Sequence, residues 1–340
     1  MKAVVKTKEG AGNITYMDFP KPEVAPGIVL IKVSAAGICG TDLKIREGSY
    51  WSNPPVVLGH EYSGIVEAVG EGVTGFKPGD RVISETAGIV CGKCEYCLSG
   101  NYLMCDDRLS IGYGTNGAMA EYIAVREAIV HHVPDEITLD EAAMCEPSAV
   151  SFHAVFDYAE VKPIHTVLVM GPGTIGQLVA QIVRSTGART ILCGTSKDAY
   201  RLELASSLGI ETVVSDQTDL NEYITTKTDN GHVDYAFDCS GAGPAVSQAL
   251  QCLKKKGTLV QVGLTKENIS VDYGLIPMKE IAVKGAFGHV NSSWIGVLKM
   301  MKNGQIDVNP LITNHFSLDE WEKGFDQAQD LNCIKVLLHP

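Results

Sequence analysis

Four cysteines cluster in one short, polar stretch of the sequence. The cluster has the spacing C-x2-C-x2-C-x7-C and consists of Cys91, Cys94, Cys97 and Cys105. Such spacing lets one loop wrap its thiolates around a tetrahedral ion, and four sulfur ligands leave no position for water or substrate. We therefore expect a structural zinc ion here. An iron–sulfur cluster is the rival interpretation, although the spacing matches none of the usual ferredoxin patterns; unligated core thiols fit such polar surroundings poorly.

A second set of metal-binding side chains lies in two glycine-flanked turns. Cys39 stands in GICGTD, and His60 and Glu61 are neighbours in VLGHEYSG. A thiolate, an imidazole and a carboxylate can hold a zinc ion with one position open. Each residue alone is better explained as a packing or surface group. The prediction of an open, reactive zinc site therefore rests on their combination.

A glycine-rich turn predicts a dinucleotide site. In VLVMGPGTIG the glycines Gly171, Gly173 and Gly176 form a GxGxxG pattern that follows an apolar strand and opens a helix. The glycines allow a tight turn and a close approach of a pyrophosphate to the backbone. The first helical residues, Thr174 and Ile175, would offer unpaired N–H groups and the positive end of the helix dipole to that anion. A plain glycine-rich turn without a ligand is the alternative.

The end of the next strand indicates which nicotinamide cofactor binds. NAD sites place an acid there for the ribose diol, but this strand ends at Gly194 without one. Ser196, Lys197 and Arg201 could instead hold a 2′-phosphate, since hydroxyl and cationic groups favour it. We therefore expect NADP. NAD is the alternative, with Asp198 binding the diol.

The elements that position these residues fall into two domains. Residues 1–150 read as short apolar strands broken by glycine, and residues 151–289 alternate between strands and helices. Such alternation is typical of a doubly wound parallel sheet of the Rossmann type, so the fold class is α/β. Residues 290–340 supply a helix and a closing strand that complete the first domain.

Composition excludes several classes of partner. The chain has 340 residues, 45% hydrophobic and 20% charged, with a net charge of −12. That charge disfavours nucleic acid and anionic membrane surfaces as partners. No apolar run approaches the ~20 residues that cross a bilayer. The first residues also contain no apolar signal core, so we expect a cytoplasmic protein.

Six ordered motifs give the whole chain a resemblance to a known family. GICGTD, GHEYSGIV, KPGDRV, the four-cysteine lobe, EPSAV and VLVMGPGTIG occur in the order found in zinc-dependent medium-chain dehydrogenases/reductases. The sequence most resembles the polyol (sorbitol/iditol) and threonine dehydrogenase branches. The resemblance implies a GroES-like catalytic domain beside the Rossmann domain, and hydride transfer between a secondary alcohol and NAD(P). It also implies two zinc ions per chain.

The resemblance further assigns roles to individual residues. It implies a catalytic zinc on Cys39, His60 and Glu61, approached by Glu146 of CEPSAV. It gives Thr41 the hydroxyl that bonds the substrate oxygen, and it makes Asp42 the acid that orients His60. The four-cysteine lobe would hold the family's structural zinc. Homodimers or homotetramers are usual in this family, and IAVKGAF is a candidate edge strand for pairing.

Departures from the family pattern leave the substrate open. Lys44 stands where many members carry a proton-relay histidine, and Gly288 and His289 replace a polar pair of the polyol branch. A polyol or sugar-derived alcohol is expected as substrate, with its ketone as product. A hydroxy amino acid such as L-threonine is one alternative. A metal-independent, quinone-reductase-like or nucleotide-binding protein is another.

Overall fold

The structure is a computed structural model that describes residues 1–265 and 268–340. The chain folds into two compact units. Unit 1 consists of residues 1–146, 289–302 and 312–340, and unit 2 of residues 147–288 and 303–311.

The segment 303–311 groups with unit 2, although the sequence pattern predicts that 290–340 belongs wholly to the first domain. Two hydrogen bonds connect this segment to Gln181 of unit 2. The backbone N–H of Asp307 donates to Oε1 of Gln181 at 2.7 Å, and Nε2 of Gln181 donates back to the carbonyl of Asp307 at 3.0 Å. The predicted domain division, 1–150 with 290–340 and then 151–289, stays a prediction.

Both units contain strands, and the central strands of unit 2 are mostly buried. In chain order they are β1 (Lys2–Lys6), β2 (Ile14–Asp18), β3 (Ile28–Gly37), β4 (Val56–Val57), β5 (Glu61–Val69), β6 (Arg81–Ser84), β7 (Ala87–Ile89), β8 (Leu109–Ser110), β9 (Tyr122–Arg126), β10 (Val130–His132), β11 (Thr166–Met170), β12 (Arg189–Gly194), β13 (Glu211–Val214), β14 (Val233–Asp238), β15 (Leu253–Gln261), β16 (Ala282–Gly285), β17 (Ile312–Ser317) and β18 (Lys335–His339).

Helices alternate with the parallel strands along the chain in unit 2, and further helices lie in unit 1. They are α1 (Gly40–Glu47), α2 (Glu95–Leu98), α3 (Leu139–Ala142), α4 (Cys145–Phe156), α5 (Thr174–Ser185), α6 (Ala199–Ser207), α7 (Leu220–Lys227), α8 (Gly243–Cys252), α9 (Leu275–Lys279), α10 (Asn291–Lys302) and α11 (Trp321–Gln327). Single 3-10 turns occupy Tyr102–Met104, Glu127–Ile129, Ser196–Asp198, Asn309–Leu311 and Leu318–Glu320.

Unit 1 is built on a mainly antiparallel sheet with the order β10-β6-β5-β3-β18-β17. Strand β3 pairs with β5, with β9 through Ile28–Lys32 and with β18 through Ala36 and Gly37. Its register with β5 shifts between Leu30 and Ile31 and again between Val33 and Ala35, and such bulges bend a strand. Its buried residues face a core that includes Val66, from β5. Glu61, the first residue of β5, places one side chain of the candidate metal centre on this sheet.

Unit 2 confirms the predicted parallel sheet. Its strands run in the order β13-β12-β11-β14-β15-β16, and every neighbouring pair is parallel. This is the order of a doubly wound dinucleotide-binding fold, whose ligands bind outside the carboxyl ends of the strands at the switch point. The central strand β11 reads TVLVM and is buried along nearly its whole length, as strands covered on both faces are.

No helix among the described residues has the length and apolar character needed to span a membrane.

Candidate metal centres and cofactor loop

The four cysteines of the lobe converge. Their sulfur atoms all lie within 4.8 Å of one another, and none is in a disulfide. The Sγ atoms of Cys91 and Cys97 are 3.8 Å apart. Backbone N–H groups point at the sulfurs: that of Cys94 donates to Cys91 at 3.3 Å, and that of Cys97 donates to Cys94 at 3.4 Å. Helix α2 starts at this turn, so its first N–H groups face the cluster.

The ionisation of these thiols depends on their different surroundings. Backbone N–H donation from Lys93 and Cys94 lowers the pKa of Cys91 to about 6, which favours its thiolate. Desolvation and the neighbouring sulfurs of Cys94 and Cys105 instead raise the pKa of Cys97 to about 12. Four thiolates whose sulfur atoms lie within 4.8 Å of one another would repel one another strongly, so a bound cation would stabilise them. The donor set and its geometry fit a tetrahedral zinc ion.

The predicted open site also assembles. One ligand atom each from Cys39, His60 and Glu61 lies within 4.8 Å of the others. Cys39 caps the N-terminus of α1, and Glu61 opens β5 directly after His60. The side chains of His60 and Glu61 are buried, with residue exposures of 6% and 1%. The turn at one end of β5 and the start of α1 thus bring together residues that lie more than twenty positions apart.

Two local features hold this arrangement. Oδ2 of Asp42 accepts a hydrogen bond from the backbone N–H of Cys39 at 2.9 Å, which fixes the first turn of α1. Gly37, paired with Glu61 across β3 and β5, leaves space for the carboxylate: a Cβ there would meet Glu61 Oε2 at 2.3 Å. A glycine is therefore required at position 37 for Glu61 to take this orientation.

Buried acidic groups dominate the site. Desolvation raises the pKa of Glu146 to about 7 and also raises that of Asp42. Burial lowers the pKa of His60, but the Cys39 thiol and the nearby carboxyl groups raise it more, so that it lies well above the ordinary value. The raised pKa values of Glu146 and Asp42 reflect the cost of burying a negative charge, whereas that of His60 reflects the stabilisation of its protonated form by nearby acidic groups.

One lysine balances part of this charge, and sequence reasoning missed it. Nζ of Lys335, on β18, donates to Oε2 of Glu61 at 2.5 Å and to the carbonyl of Ile38 at 3.0 Å. Burial lowers the pKa of Lys335, but Glu61 and Cys39 raise it more, and the net shift is upward.

Two buried atoms of the site lack a hydrogen-bond partner among the described residues: Nδ1 of His60 and Oδ1 of Asp42. A buried, acidic, sulfur- and nitrogen-bearing site with one ammonium group fits a divalent cation such as zinc.

Glu146 and Thr41 lie at the edge of this cluster. Glu146, the second residue of α4, is buried but is outside the set of three converging ligands. Its Oε1 lies 3.8 Å from Nε2 of His289. Thr41 is half-buried in the first turn of α1, next to Cys39, and Lys44 is half-buried one turn further along.

His289 belongs to a buried polar network that the sequence did not predict. The indole N–H of Trp294 donates to Nδ1 of His289 at 2.8 Å, and Nε2 of His289 lies 3.3 Å from Oγ1 of Thr86. The ring of His131 stacks on Trp294 with centroids 5.7 Å apart, while its Nε2 contacts Glu85 at 3.1 Å.

An aromatic cluster packs beside His60. The ring of Tyr113 meets His60 edge-on with centroids 6.1 Å apart, and it makes similar contacts with Tyr50 at 5.5 Å and Trp51 at 6.5 Å. Trp51 is 55% exposed, which is unusual for so large an apolar side chain. These rings give the metal centre an apolar side.

The glycine-rich turn has the geometry that a bound pyrophosphate needs. Gly171 follows β11 with φ of 94°, and a Cβ at Gly176 would lie 1.8 Å from the carbonyl oxygen of Gly171, so α5 packs closely on the turn. A Cβ at Gly173, by contrast, would meet nothing within 4 Å. Thr174 and Ile175 follow as the first residues of α5. The open space at Gly173 beside a helix N-terminus fits a phosphate group.

An acid from the next strand reaches the predicted 2′-phosphate contacts. Asp216, just after β13, accepts hydrogen bonds from the backbone N–H of Ser196 at 2.7 Å and from its hydroxyl at 2.5 Å. Lys197 lies close enough to lower the pKa of Asp216, after the larger effect of Ser196. Arg201 contacts Asp198 at 4.0 Å. Asp216 could not be predicted from the strand that ends at Gly194, because it follows the neighbouring strand β13.

The candidate edge strand for oligomerisation lies at an edge of its sheet. Strand β16 pairs only with β15 among the described strands, and all four of its residues are exposed. Pairing of β16 with a second copy of the chain remains a prediction.

Family models match both units. Residues 25–135 match the alcohol dehydrogenase GroES-like domain, and residues 174–303 match the zinc-binding dehydrogenase domain.

Full-length relatives are similar to the chain from end to end. It is 39% identical to a sorbitol dehydrogenase of Halalkalibacterium halodurans, with 100% of this chain and 99% of the relative covered. It is also 39% identical to a D-arabitol-phosphate dehydrogenase of Enterococcus avium, over 99% of this chain and 97% of the relative. A crystal structure described as a zinc-binding dehydrogenase of Sinorhizobium meliloti 1021, bound to NADP, matches with a TM-score of 0.92 and 32% identity, over 100% and 99% of the two chains.

Proposed function

Because the chain belongs to the zinc-binding dehydrogenases with an alcohol dehydrogenase GroES-like domain, we propose that it interconverts a secondary alcohol of the polyol class and its ketone, with a nicotinamide cofactor. The observation that carries the proposal is the convergence of Cys39, His60 and Glu61 in a buried, predominantly acidic site. A non-catalytic relative would not need these three ligands. The names of the two curated relatives favour a polyol or a polyol phosphate as substrate.

Cys39, His60 and Glu61 would hold the catalytic zinc ion, with Glu146 nearby. Zinc supplies Lewis acidity, which makes an alcohol hydroxyl more acidic, and the nicotinamide supplies the hydride acceptor. Lys335 offsets the charge of Glu61, and Asp42 fixes the backbone of Cys39. Thr41 would hold the hydroxyl proton, while the rings of Tyr113 and its neighbours exclude water from one side.

The four-cysteine lobe would hold a second, structural zinc ion. Its closed donor set leaves no position for substrate, so Cys91, Cys94, Cys97 and Cys105 would act only by fixing the loop.

The nicotinamide cofactor would bind at Gly171, Gly173, Thr174, Ile175 and Gly176. We expect NADP to be preferred over NAD, with Ser196, Lys197 and Arg201 contacting the 2′-phosphate. Asp216 opposes this preference, because its carboxylate occupies both donors of Ser196. Lys197 and Arg201 must therefore supply most of the attraction for the phosphate.

The experiment combines metal analysis with a substrate screen. The purified chain should contain about two zinc ions, and Cys39→Ser should lose one of them together with all turnover while still binding the nucleotide. Cys193→Ala removes another buried thiol, in β12, and is the matched control. This variant should keep both zinc ions and its activity. A panel of polyols, polyol phosphates and hydroxy amino acids, assayed with NADP and NAD, identifies the substrate. Full activity of Cys39→Ser would overturn the proposal, and activity on L-threonine alone would redirect it to hydroxy amino acids.

A further inference from the structure

A third group of metal-binding side chains lies on the surface of unit 1. Asp140 of α3, His315 of β17 and His339 of β18 each offer a ligand atom within 4.8 Å of the others. Nδ1 of His315 lies 3.1 Å from Nε2 of His339 and 3.8 Å from Oδ2 of Asp140. The three side chains are 34–50% exposed, so a solvated ion can reach them.

The parallel pairing of β17 and β18 creates this arrangement. His315 is paired with Leu337 and Ser317 with His339, so the two histidines are diagonal neighbours on one face of the sheet. Their rings stack with centroids 5.3 Å apart and an angle of 21° between their planes. Asp140 comes from a distant part of the sequence and closes the group from one side.

A backbone contact fixes the tautomer of His339. Its Nδ1 lies 3.0 Å from the carbonyl oxygen of Ser34, on β3. A carbonyl oxygen can only accept a hydrogen bond, so Nδ1 must carry the proton. In the neutral ring, Nε2 then presents a lone pair toward Nδ1 of His315, while Oδ1 of Asp140 lies 3.9 Å from Nδ1 of the same ring. A carbonyl that orients the other ring nitrogen is the usual support of a metal-binding histidine.

We propose that Asp140, His315 and His339 bind a divalent transition-metal ion of the zinc type, separate from the two sites described above. Two nitrogens bound to one tetrahedral zinc stand about 3.3 Å apart, given bond lengths of about 2.05 Å. The separation of 3.1 Å between the two ring nitrogens is close to that value. Two imidazoles with one carboxylate suit zinc, copper or nickel better than magnesium or calcium, which prefer oxygen ligands.

The ion would join three separate parts of unit 1. Strand β17 and α3 lie far apart in sequence, and α3 is also held to β5 by the hydroxyl of Ser63, which donates to the carbonyl of Leu139 at 2.5 Å. Since Asp140 follows Leu139 directly, a metal at this site would fix α3 to both strands. Water would complete the coordination shell, because the site is open.

The test counts zinc ions bound to the full-length chain prepared without a polyhistidine tag. Calorimetric titration with Zn²⁺ should reveal one site beyond the tightly bound zinc in the wild type. His315→Ala should lose that site. Asp140→Asn, which preserves size and removes only the charge, should weaken it about tenfold or more.

His132→Ala is the matched control. His132 is also an exposed strand residue whose ring bonds a backbone carbonyl, that of Gly75 at 3.0 Å. The His132→Ala variant should bind as much Zn²⁺ as the wild type. The proposal is overturned if His315→Ala binds as much Zn²⁺ as the wild type, or if the wild type shows no additional site, in which case the two histidines only share a hydrogen bond. Because the readout is a difference between variants at this site, it stands apart from the Cys39→Ser result.

Discussion

Lys335 and Glu61 form an ion pair in which Nζ lies 2.5 Å from Oε2, and their side chains are only 4% and 1% exposed. The pair joins β18 to the first residue of β5, across 274 positions of sequence. An ion pair so deeply buried differs from a surface pair, because removal of one partner leaves the other charge without water or a counterion.

In the zinc-free protein we expect Lys335→Met to lower the free energy of unfolding by about 3–5 kcal/mol, since the buried carboxylate of Glu61 then has no counterion. Lys254→Met is a matched control. Lys254 contacts Asp234 at the same distance of 2.5 Å, but its side chain is 44% exposed, so the loss should stay below about 1 kcal/mol. Urea denaturation of the wild type, Lys335→Met and Lys254→Met measures the loss of unfolding free energy in each variant. Equal losses in the two variants would contradict the argument.

The glycine-rich turn provides a second pair of variants with opposite expectations. In Gly176→Ala the new methyl group would overlap the carbonyl of Gly171, so we expect a stability loss of about 1–3 kcal/mol. Gly173→Ala meets no protein atom and should fold normally, but its methyl group would fill the space offered to the pyrophosphate. Nucleotide affinity should then fall about tenfold, or about 1.4 kcal/mol. Urea denaturation and fluorescence titration with the reduced cofactor separate the two effects.

If Gly173→Ala binds the nucleotide as tightly as the wild type, the pyrophosphate does not lie against this turn, and the cofactor assignment fails with it.

Asp216 should set the balance between the two nicotinamide cofactors. Asp216→Asn keeps an acceptor for Ser196 and removes the negative charge, so we expect the ratio of kcat/KM for NADP to that for NAD to rise about tenfold. Asp219→Asn is the control, because Asp219 caps α7 through the N–H of Glu222 and should not affect the ratio. An unchanged ratio in Asp216→Asn would place the ribose away from Ser196.

The sequence predicted the elements whose signals are local. The apolar strand before Gly171 and the helix after it are adjacent in the chain, and the parallel sheet followed from their repetition. The spacing within the four-cysteine lobe likewise predicted its convergence. Lys335 could not be assigned in this way, because a lone lysine in an apolar strand gives no sign of the carboxylate it will meet. Asp216 was missed for a similar reason, since only the packing of β13 beside β12 brings it to Ser196.

The hydrogen bond between Trp294 and His289 determines which nitrogen of a buried histidine faces Glu146. An indole N–H can only donate, so Nδ1 of His289 accepts, and the neutral ring carries its proton on Nε2, toward Thr86 and Glu146. Trp294→Phe removes the donor and leaves Nδ1 buried without it, which should lower the free energy of unfolding by about 1–3 kcal/mol. We also expect kcat/KM to fall, because the ring is then free to present either nitrogen to Glu146.

Trp321→Phe, at another buried tryptophan, controls for the loss of ring volume. Urea denaturation and steady-state kinetics of both variants provide the comparison. If Trp294→Phe loses no more stability and activity than Trp321→Phe, the indole N–H does not orient His289, and Trp294 contributes by packing alone.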